Sequence, residues 1–275
     1  MLEVFLLISG FIALVYGATI LVDSASSLAK RLNVPNIVIG LTIVAFGTSS
    51  PELVVNLFAS INHNSDMALG NVIGSNIFNV LFILGLSALI RPLVVNTTTT
   101  WLEIPLSLLA AMVVFVMAGD TLFDNAAAST ISRVDGIILL LFFVIFLSYN
   151  IAIMKSGNAG DDIPAKNFTV KKSVLFIAIG LVLLAAGGQM IVYSATNIAM
   201  MIGLSEKIIA LTIVSVGTSL PELATSVIAA RKNNLDIAIG NVVGSNIFNI
   251  FFILGISSVI YPVQISQGIP IDLYV

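Results

Sequence analysis

Two short segments of this 275-residue chain place a carboxylate beside hydroxyl groups inside otherwise apolar stretches. Residues 45–54 read AFGTSSPELV, and residues 215–224 read SVGTSLPELA. Hydroxyl and carboxylate groups are hard oxygen donors, the type of ligand that Ca²⁺ and similar cations prefer. The oxygen-bearing positions shared by both segments are Thr48, Ser49, Glu52, Thr218, Ser219 and Glu222. The paired segments therefore predict a cation site to which both contribute.

A second tract, GNVIGSNIFN at 70–79, recurs as GNVVGSNIFN at 240–249. In each copy the serine and the last asparagine are four residues apart, so they share one face of a helix. The GxxxG spacing also suits close helix packing, and a packing seam with incidental polar groups is the alternative interpretation. We predict that four side chains add neutral oxygen ligands: Ser75, Asn79, Ser245 and Asn249. The other asparagines are predicted to brace the helices: Asn71, Asn76, Asn241 and Asn246.

The ligand inventory favours a hard cation over a soft one. The chain contains no cysteine, and its single histidine, His63, lies in a predicted loop. Soft metals, which prefer sulfur and imidazole ligands, therefore fit poorly. Glu52 and Glu222 together would neutralise one Ca²⁺ or two Na⁺, so the two cations are expected to compete for one pocket.

The elements that must position these residues are membrane helices. Hydrophobic residues make up 58% of the chain and charged residues only 9%, against roughly 25% charged in soluble domains. Apolar runs of about 20 residues span a bilayer, and they predict an all-α, polytopic membrane protein. The eight predicted helices lie near 4–22, 34–62, 66–91, 102–119, 133–154, 173–196, 204–230 and 235–262.

Helices 2, 3, 7 and 8 are predicted to be broken around an ion site at the bilayer midplane. Pro51 and Pro221 remove a backbone donor in the middle of their apolar runs. A break there would free carbonyl oxygens near Ala45 and Ser215. A charged side chain at that depth costs roughly 3 kcal/mol or more, so intramembrane glutamates usually mark an ion or proton path.

A structural role could also explain these serine–glutamate pairs. Ser49-x-x-Glu52 and Ser219-x-x-Glu222 both match a capping box, in which the two side chains satisfy free N–H groups at a helix start. A glutamine would cap a helix at the midplane without burying a charge, which favours ion binding. Capping and ion binding can also coexist, and both interpretations stay open at this point.

The basic residues predict the orientation of the chain. If the connecting loops alternate sides, one side receives nine of the eleven Lys and Arg residues: Lys30, Arg31, Arg91, Lys155, Lys166, Lys171, Lys172, Arg231 and Lys232. The positive-inside rule makes that side cytoplasmic, so we expect a multi-pass cell-membrane protein with its N-terminus outside. No basic segment precedes the first apolar run, which is therefore predicted to be a retained helix.

The two halves of the chain form an internal repeat at a constant offset of 170 residues. Between residues 41–92 and 211–262, 30 of 52 positions are identical without a gap. Five helices precede the second copy, so the repeats are inverted, a pattern typical of transporters with a midplane site. We expect a first repeat at 1–155 (helices 1–5), a short cytoplasmic linker at 156–172 and a second repeat at 173–275 (helices 6–8). The second copy stops where its fourth helix would begin, so we expect either a C-terminal truncation or a departure from a symmetric plan of five plus five helices.

The paired GTSxPE and GNVxGSNIFN tracts resemble the two α-repeats of the sodium/calcium exchangers, within the cation/calcium exchanger superfamily, especially its bacterial and archaeal members. The resemblance covers helices 1–8 of a family plan of ten. It implies alternating access around a central site, with Na⁺ entry driving Ca²⁺ extrusion. By motif position it implies these ligands: Thr48, Ser49, Glu52, Ser75, Asn79, Thr218, Ser219, Glu222, Ser245 and Asn249, with the carbonyls near Ala45 and Ser215.

Two features separate this chain from some members of the family. Asn249 stands where potassium-dependent exchangers carry aspartate, which disfavours potassium dependence, and loop 155–172 is too short for a large regulatory domain. The expected function is Na⁺/Ca²⁺ antiport, with helices 1 and 6 moving across the cage. The alternatives are a Ca²⁺/H⁺ antiporter and, more distantly, a cation channel.

No catalytic arrangement accompanies the predicted ion site. The sequence shows no nucleophile–base pair and no metal-binding histidine, so we expect a transporter that is not an enzyme and needs no cofactor. Its expected partners are the transported ions Ca²⁺ and Na⁺ and the lipid bilayer. A net charge of -3 with basic residues at helix ends indicates no nucleic-acid surface, and no obligatory protein partner is implied.

Overall fold

The computed structural model of the chain describes residues 2–94, 99–123, 126–156, 166–203, 213 and 215–265. Each of the eight predicted spans contains described helix, whereas residues 204–212 and 214 of the predicted seventh span lie outside the described residues. Five helices are each long and apolar enough to cross a membrane, and a sixth span is a bent pair. The helices are α1 (Leu2–Leu32), α2a (Asn36–Thr48), α2b (Ser50–Ile61), α3 (Ser65–Ile90), α4 (Ile104–Met117), α5 (Arg133–Ser156), α6 (Val170–Met201), α7a (Ser215–Thr218), α7b (Leu220–Arg231) and α8 (Leu235–Ile260). A π-helical turn at Thr99–Glu103 leads into α4, and a helical turn at Asp120–Phe123 follows it.

The second membrane span is broken next to Pro51, as predicted. Helices α2a and α2b meet at Ser49 with a bend of 48°. Pro51 lies in the first turn of α2b, where a missing N–H group leaves no helical bond unmade. Ser219 separates α7a from α7b at the matched position of the second repeat. Both breaks place a glutamate in the first turn of the following helix.

Helices α3 and α8 are interrupted in a different way. Each changes from α-helical to π-helical hydrogen bonding, at Phe78–Ile83 in α3 and at Phe248–Leu254 in α8. The two π segments begin at positions related by the repeat offset and each includes the last asparagine of the GNVxGSNIFN tract. Such π segments are frequent at functional sites because they redirect the side chains that follow them.

Helices α1 and α6 pack against each other in antiparallel orientation through glycines. A Cβ atom built at Gly10 would lie 2.9 Å from the Gly187 carbonyl oxygen, and one built at Gly17 would lie 2.9 Å from that of Gly180. The two backbones are therefore in direct contact, which only residues without a side chain permit. Gly10 and Gly17 match Gly180 and Gly187 in the repeat, so the contact is symmetric about a two-fold axis. This arrangement confirms that the repeats are inverted.

Contacts between loops confirm that the helices alternate in direction. The only described strands, β1 (Ser129–Ile131) and β2 (Val263–Ile265), pair as an antiparallel ribbon between the α4–α5 connection and the segment after α8. The His63 ring stacks on that of Tyr261 with centroids 4.0 Å apart. These contacts bring together loops predicted to lie on one side of the membrane, and they hold α8 in place.

Helix α8 is the central helix of the described bundle. In its most apolar stretch 78% of the residues are buried, against 22% in α3. Phe248 of α8 contacts Phe143 of α5 and Phe46 of α2a, with ring centroids 4.9 and 5.5 Å apart. This aromatic packing fixes the helix that carries Ser245 and Asn249.

Candidate ion-binding site

The two predicted glutamates lie buried and side by side at the centre of the bundle. Glu52 is 1% exposed and Glu222 is fully buried. The Ser219 hydroxyl donates to Oε1 of Glu52 at 3.0 Å, and the Ser49 hydroxyl donates to Oε1 of Glu222 at 2.9 Å. Each carboxyl group therefore contacts the serine that precedes the other glutamate by three positions. The two repeats share one site.

These contacts bear on the capping interpretation of the serine–glutamate pairs. Neither the Ser49 nor the Ser219 side chain makes a capping hydrogen bond with the helix that follows it. Both hydroxyl groups point across the interface between the repeats instead. Helix capping therefore does not account for these serines.

Several buried oxygen atoms around the glutamates have no hydrogen-bond partner. An unpaired buried polar atom costs about 1–3 kcal/mol, so a cluster of them in a native fold needs a reason. Five such atoms belong to predicted ligands: Oε2 of Glu52, Oε2 of Glu222, Oδ1 of Asn79, Oδ1 of Asn249 and Oγ of Ser75. All are acceptors or can accept, and a cation bound among them would satisfy them together.

The charge of the site rests on the two glutamates alone. Among the described residues no group of three or more Asp, Glu, His or Cys side chains could hold a metal ion. The remaining oxygens are hydroxyl and amide groups, and the Ser245 hydroxyl lies 3.4 Å from Oε1 of Glu222. Two carboxylates with neutral oxygens match the ligand preference of Ca²⁺ and carry the charge needed to neutralise it.

The other predicted ligand side chains are also buried. Ser75, Asn79, Ser245 and Asn249 are each at most 2% exposed, and Thr218 is 8% exposed. The Thr48 hydroxyl lies 3.0 Å from Oδ1 of Asn241 and 3.3 Å from the carbonyl oxygen of Ala45. Ser215 begins α7a, and its side chain lies outside the described residues.

The prediction that the Ala45 carbonyl loses its helical partner is wrong. Its oxygen accepts a hydrogen bond from the Ser49 backbone N–H at 3.0 Å. The reason is that the bend falls after this bond, at the junction with α2b. In the second repeat Ser219 donates its N–H to the Val216 carbonyl at 3.2 Å. This bond joins residues three positions apart, whereas α-helical bonds join residues four positions apart.

The backbones of the glutamates are held by asparagines from the glycine-rich tracts. Asn71 donates to the Glu52 carbonyl at 3.4 Å and to Oδ1 of Asn56 at 2.6 Å. The second repeat matches it through Asn241, which donates to the Glu222 carbonyl at 3.2 Å and to Oγ of Ser226 at 2.9 Å. The bracing role predicted for these asparagines agrees with this geometry.

Sequence reasoning missed Asn56 and Ser226, which complete this bracing. Both are buried, with no exposed surface, and both lie four residues after a glutamate on the same helical face. A polar residue at matched positions of two apolar helices was the signal that could have identified them.

A membrane bundle of inverted repeats around paired intramembrane carboxylates defines a class of protein: secondary transporters of cations. The model of the family described as "Sodium/calcium exchanger protein" matches residues 2–152 and 172–275. The chain therefore belongs to the sodium/calcium exchanger family. It is a cation/Ca²⁺ exchanger and an integral membrane protein.

Individual relatives agree with this assignment over almost the whole chain. The inner membrane protein YrbG of Escherichia coli is 38% identical over 270 residues, which cover 95% of this chain and 81% of YrbG. The sodium/calcium exchanger MaX1 of Methanosarcina acetivorans is 33% identical over 95% of this chain and 84% of its own length. The solved structure of the sodium-calcium exchanger NCX_Mj soaked with 10 mM Na⁺ and zero Ca²⁺ superposes with a TM-score of 0.85. It has 34% identity to this chain and covers 99% of it and 86% of NCX_Mj.

Proposed function

We propose that this protein is an antiporter that exchanges Na⁺ for Ca²⁺ across the membrane by alternating access. The observation that carries this proposal is the cluster of unpartnered oxygens around Glu52 and Glu222, contributed by both repeats. Ca²⁺ and Na⁺ are the substrates that these oxygens would bind. The predicted ligands Thr48, Ser49 and Ser75, with their matched residues in the second repeat, would complete the shell.

The buried charge accounts for exchange instead of leak. Two carboxylates at the bilayer midplane are compensated when one Ca²⁺ or two Na⁺ occupy the site, and uncompensated when it is empty. Sliding apolar helices across an uncompensated buried charge removes the water that stabilises it, which is costly. The empty transporter therefore stays on one side until a cation binds, which couples the two fluxes.

Helices α1 and α6 are the mobile part in this proposal. Their glycine-mediated contact holds them together as one unit, whereas α2, α3, α7 and α8 are joined by the hydrogen bonds of the ion site. α1 packs along α7b and its second half is buried. At the matched part of α6, Tyr193 is 54% exposed. The pair thus closes one end of the cage more tightly than the other.

The orientation and domain plan follow from the sequence and the family. We assign the closed end to the cytoplasm, because it carries most of the basic residues, and the N-terminus to the outside of the cell membrane. The two repeats, 1–155 and 173–275, would each supply half of the cage, with the linker at 156–172 between them. The partners of the site are ions and lipid.

Uptake of radioactive Ca²⁺ into proteoliposomes tests the proposal. With Na⁺ inside and none outside, we expect rapid uptake that stops when external Na⁺ is raised to the internal concentration. Uptake driven by a pH gradient in the complete absence of Na⁺ would overturn Na⁺ coupling and favour a Ca²⁺/H⁺ antiporter. Uptake that needs neither gradient would indicate a channel.

A further inference from the structure

Four asparagines from α3 and α8 are cross-linked between the repeats beside the ion site. Asn79 donates through Nδ2 to Oδ1 of Asn246, and Asn249 donates through Nδ2 to Oδ1 of Asn76, both at 3.0 Å. Asn76 also donates to the Asn246 backbone carbonyl at 3.3 Å, and Asn246 to the Asn76 carbonyl at 3.4 Å. The network is symmetric under the repeat offset.

This network fixes which end of each ligand amide faces the cage. A backbone carbonyl can only accept, so the side-chain atom of Asn246 that faces the Asn76 carbonyl must be its NH₂ group. The oxygen of Asn246 then faces Asn79, which must present its own NH₂ group to it. Asn79 is left with its oxygen directed away from the network, and that oxygen is buried without a partner. The same argument applies to Asn249.

We propose that Asn76 and Asn246 are positioning residues that determine the polarity of the ion site. An amide can present either its oxygen or its NH₂ group to a cavity, and only the oxygen attracts a cation. By occupying the NH₂ groups of Asn249 and Asn79, each positioning residue holds a ligand oxygen of the other repeat toward the ion. The inference rests on the proposed ion cage, because it assigns a role to residues next to it.

A double-mutant comparison tests this role. Asn76→Ala should lower the affinity for Ca²⁺ about tenfold, as loss of a group that orients a metal ligand commonly does. Asn249→Asp replaces the ligand amide by a carboxylate, which presents oxygen whichever way it turns. In the Asn249→Asp background, Asn76→Ala should therefore have little further effect. Ca²⁺ binding to the purified protein in detergent is measured by calorimetry, so the result does not depend on which ion drives transport.

The outcomes separate positioning from a purely structural role. A loss of affinity that is equally large in both backgrounds would overturn the proposal, because bracing of α3 against α8 does not depend on the ligand at 249. The mirrored set, Asn246→Ala with and without Asn79→Asp, repeats the test on the repeat-related pair of asparagines. If Asn76→Ala does not fold, the mirrored set decides the question by the same criterion.

A separate ionic contact secures the end of α1 that is closed. Asp23 pairs through Oδ1 with Lys232, in the α7b–α8 turn, and through Oδ2 with Lys166 at 2.8 Å. Lys232 also donates to the Thr19 carbonyl at 3.2 Å. Three residues further along α1, Ser26 accepts a hydrogen bond from Asn234 at 2.8 Å. Helix α1 is thus tied to the stationary part of the bundle and to the linker.

The second repeat carries no ionic equivalent of this contact. Tyr193 occupies the position of Asp23, and Asn62 that of Lys232. Asn234 is 1% exposed, whereas Asn64 at the matched position is exposed. At these matched positions the α1–α6 unit therefore has a charged contact at one end and uncharged side chains at the other, which biases a movement that is otherwise symmetric.

The geometry points to Asp23, Lys232 and Lys166 as a latch that stabilises the closed state of this end. The Asp23 side chain is only 14% exposed, so the contact is shielded from solvent more than an ordinary surface pair. The α1–α6 unit must break the latch before this end of the cage can open. This second inference rests on the alternating-access part of the proposed function.

Chemical labelling measures the latch without any transport. The chain has no cysteine, so a single cysteine introduced at Ala230, buried in α7b, reports opening of this end. Asp23→Asn should raise the rate of maleimide labelling several-fold, and Lys166→Gln should raise it less. The charge exchange Asp23→Lys with Lys232→Asp, made in the Lys166→Gln protein so that the new ammonium group meets no like charge, should restore the labelling rate of Lys166→Gln alone. Tyr193→Phe, at the matched position of α6, is the control and should leave the rate unchanged.

Two results would overturn the latch. One is a labelling rate unchanged by Asp23→Asn. The other is fast labelling that persists in the charge-exchanged protein, since the pair would then have no role beyond local packing. Because labelling is read in a Na⁺-free buffer, a failure of Na⁺ coupling does not affect either result.

Discussion

The Ser49 hydroxyl donates a hydrogen bond to Oε1 of Glu222 at 2.9 Å, although the two residues are 173 positions apart in the chain. The matched contact joins Ser219 and Glu52 at 3.0 Å. Each serine thus orients a carboxyl group of the opposite repeat and leaves the second oxygen of that group unpartnered. The proposed ion site therefore lies where the two repeats meet, and neither repeat alone can form these contacts.

The crossed serine contacts predict a loss of ion affinity when one is removed. Ser49→Ala should weaken Ca²⁺ binding about tenfold, because Glu222 loses the donor that orients it. Binding calorimetry on the purified protein measures the change. Ser50→Ala is the matched control, because the Ser50 hydroxyl donates to the Phe46 carbonyl of α2a at 3.1 Å and not to a glutamate. Equal effects of the two substitutions would show that the crossed contact has no special role.

Removing one charge from the cage is expected to abolish Ca²⁺ exchange. Glu52→Gln keeps the size of the side chain but leaves one carboxylate to compensate two positive charges. Breaking a buried charge pairing costs about 3 kcal/mol or more, which corresponds to a loss of about 100-fold or more in affinity. Ca²⁺ uptake into Na⁺-loaded proteoliposomes should fall to background.

A second buried glutamate provides the control for that experiment. Glu103 is 1% exposed but lies outside the cage, where its Oε1 accepts a hydrogen bond from Tyr149. Glu103→Gln should retain Ca²⁺ uptake. Near-normal Ca²⁺ uptake by Glu52→Gln would show that Glu52 does not compensate the charge of the bound ion. This conclusion does not depend on the result for Glu103→Gln.

The sequence alone predicted the membrane helices, the inverted repeat and the oxygen-bearing side chains that gather at the centre. These features are local or periodic: Pro51 breaks its helix by its own chemistry, and Ser75 and Asn79 share a face because of helical spacing. What each side chain contacts could not be predicted. A capping box and a contact with the other repeat have the same local sequence, so only the fold could show that Ser49 bonds Glu222.

Other features depended on packing between distant segments. The retained hydrogen bond of the Ala45 carbonyl depends on where along the helix the bend falls, and the sequence locates this to a turn but not to a residue. Asp23 was not predicted to pair, because its partners Lys166 and Lys232 come from the linker and a turn of the other repeat. Pairing between such segments is not encoded in any local spacing.

The contact between Tyr149 and Glu103 predicts a difference in stability. The Tyr149 hydroxyl donates to Oε1 of Glu103 at 2.8 Å, and Oε2 of this glutamate already has no partner. Tyr149→Phe would leave both oxygens unpaired at a cost of about 1–3 kcal/mol. The midpoint of thermal unfolding in detergent should fall by several degrees. Tyr16→Phe is the control, since Tyr16 is 61% exposed on α1, and an equal fall there would contradict the prediction.

The glycine contact between α1 and α6 predicts opposite effects for two glycine-to-alanine substitutions. In an open helix position alanine is about 1 kcal/mol more favourable than glycine. A Cβ atom at Gly85 of α3 meets no atom within 4 Å, so Gly85→Ala should keep or raise the unfolding midpoint. At Gly10 the new carbon would lie 2.9 Å from both the Gly187 carbonyl oxygen and a carbon of Ile191, which forces the helices apart. Overpacking of this kind costs about 1–3 kcal/mol, so Gly10→Ala should lower the midpoint. If the unfolding midpoint of Gly10→Ala were at or above that of the unmodified protein, α1 and α6 would not be held at backbone contact. The two helices could then slide independently instead of moving as one unit.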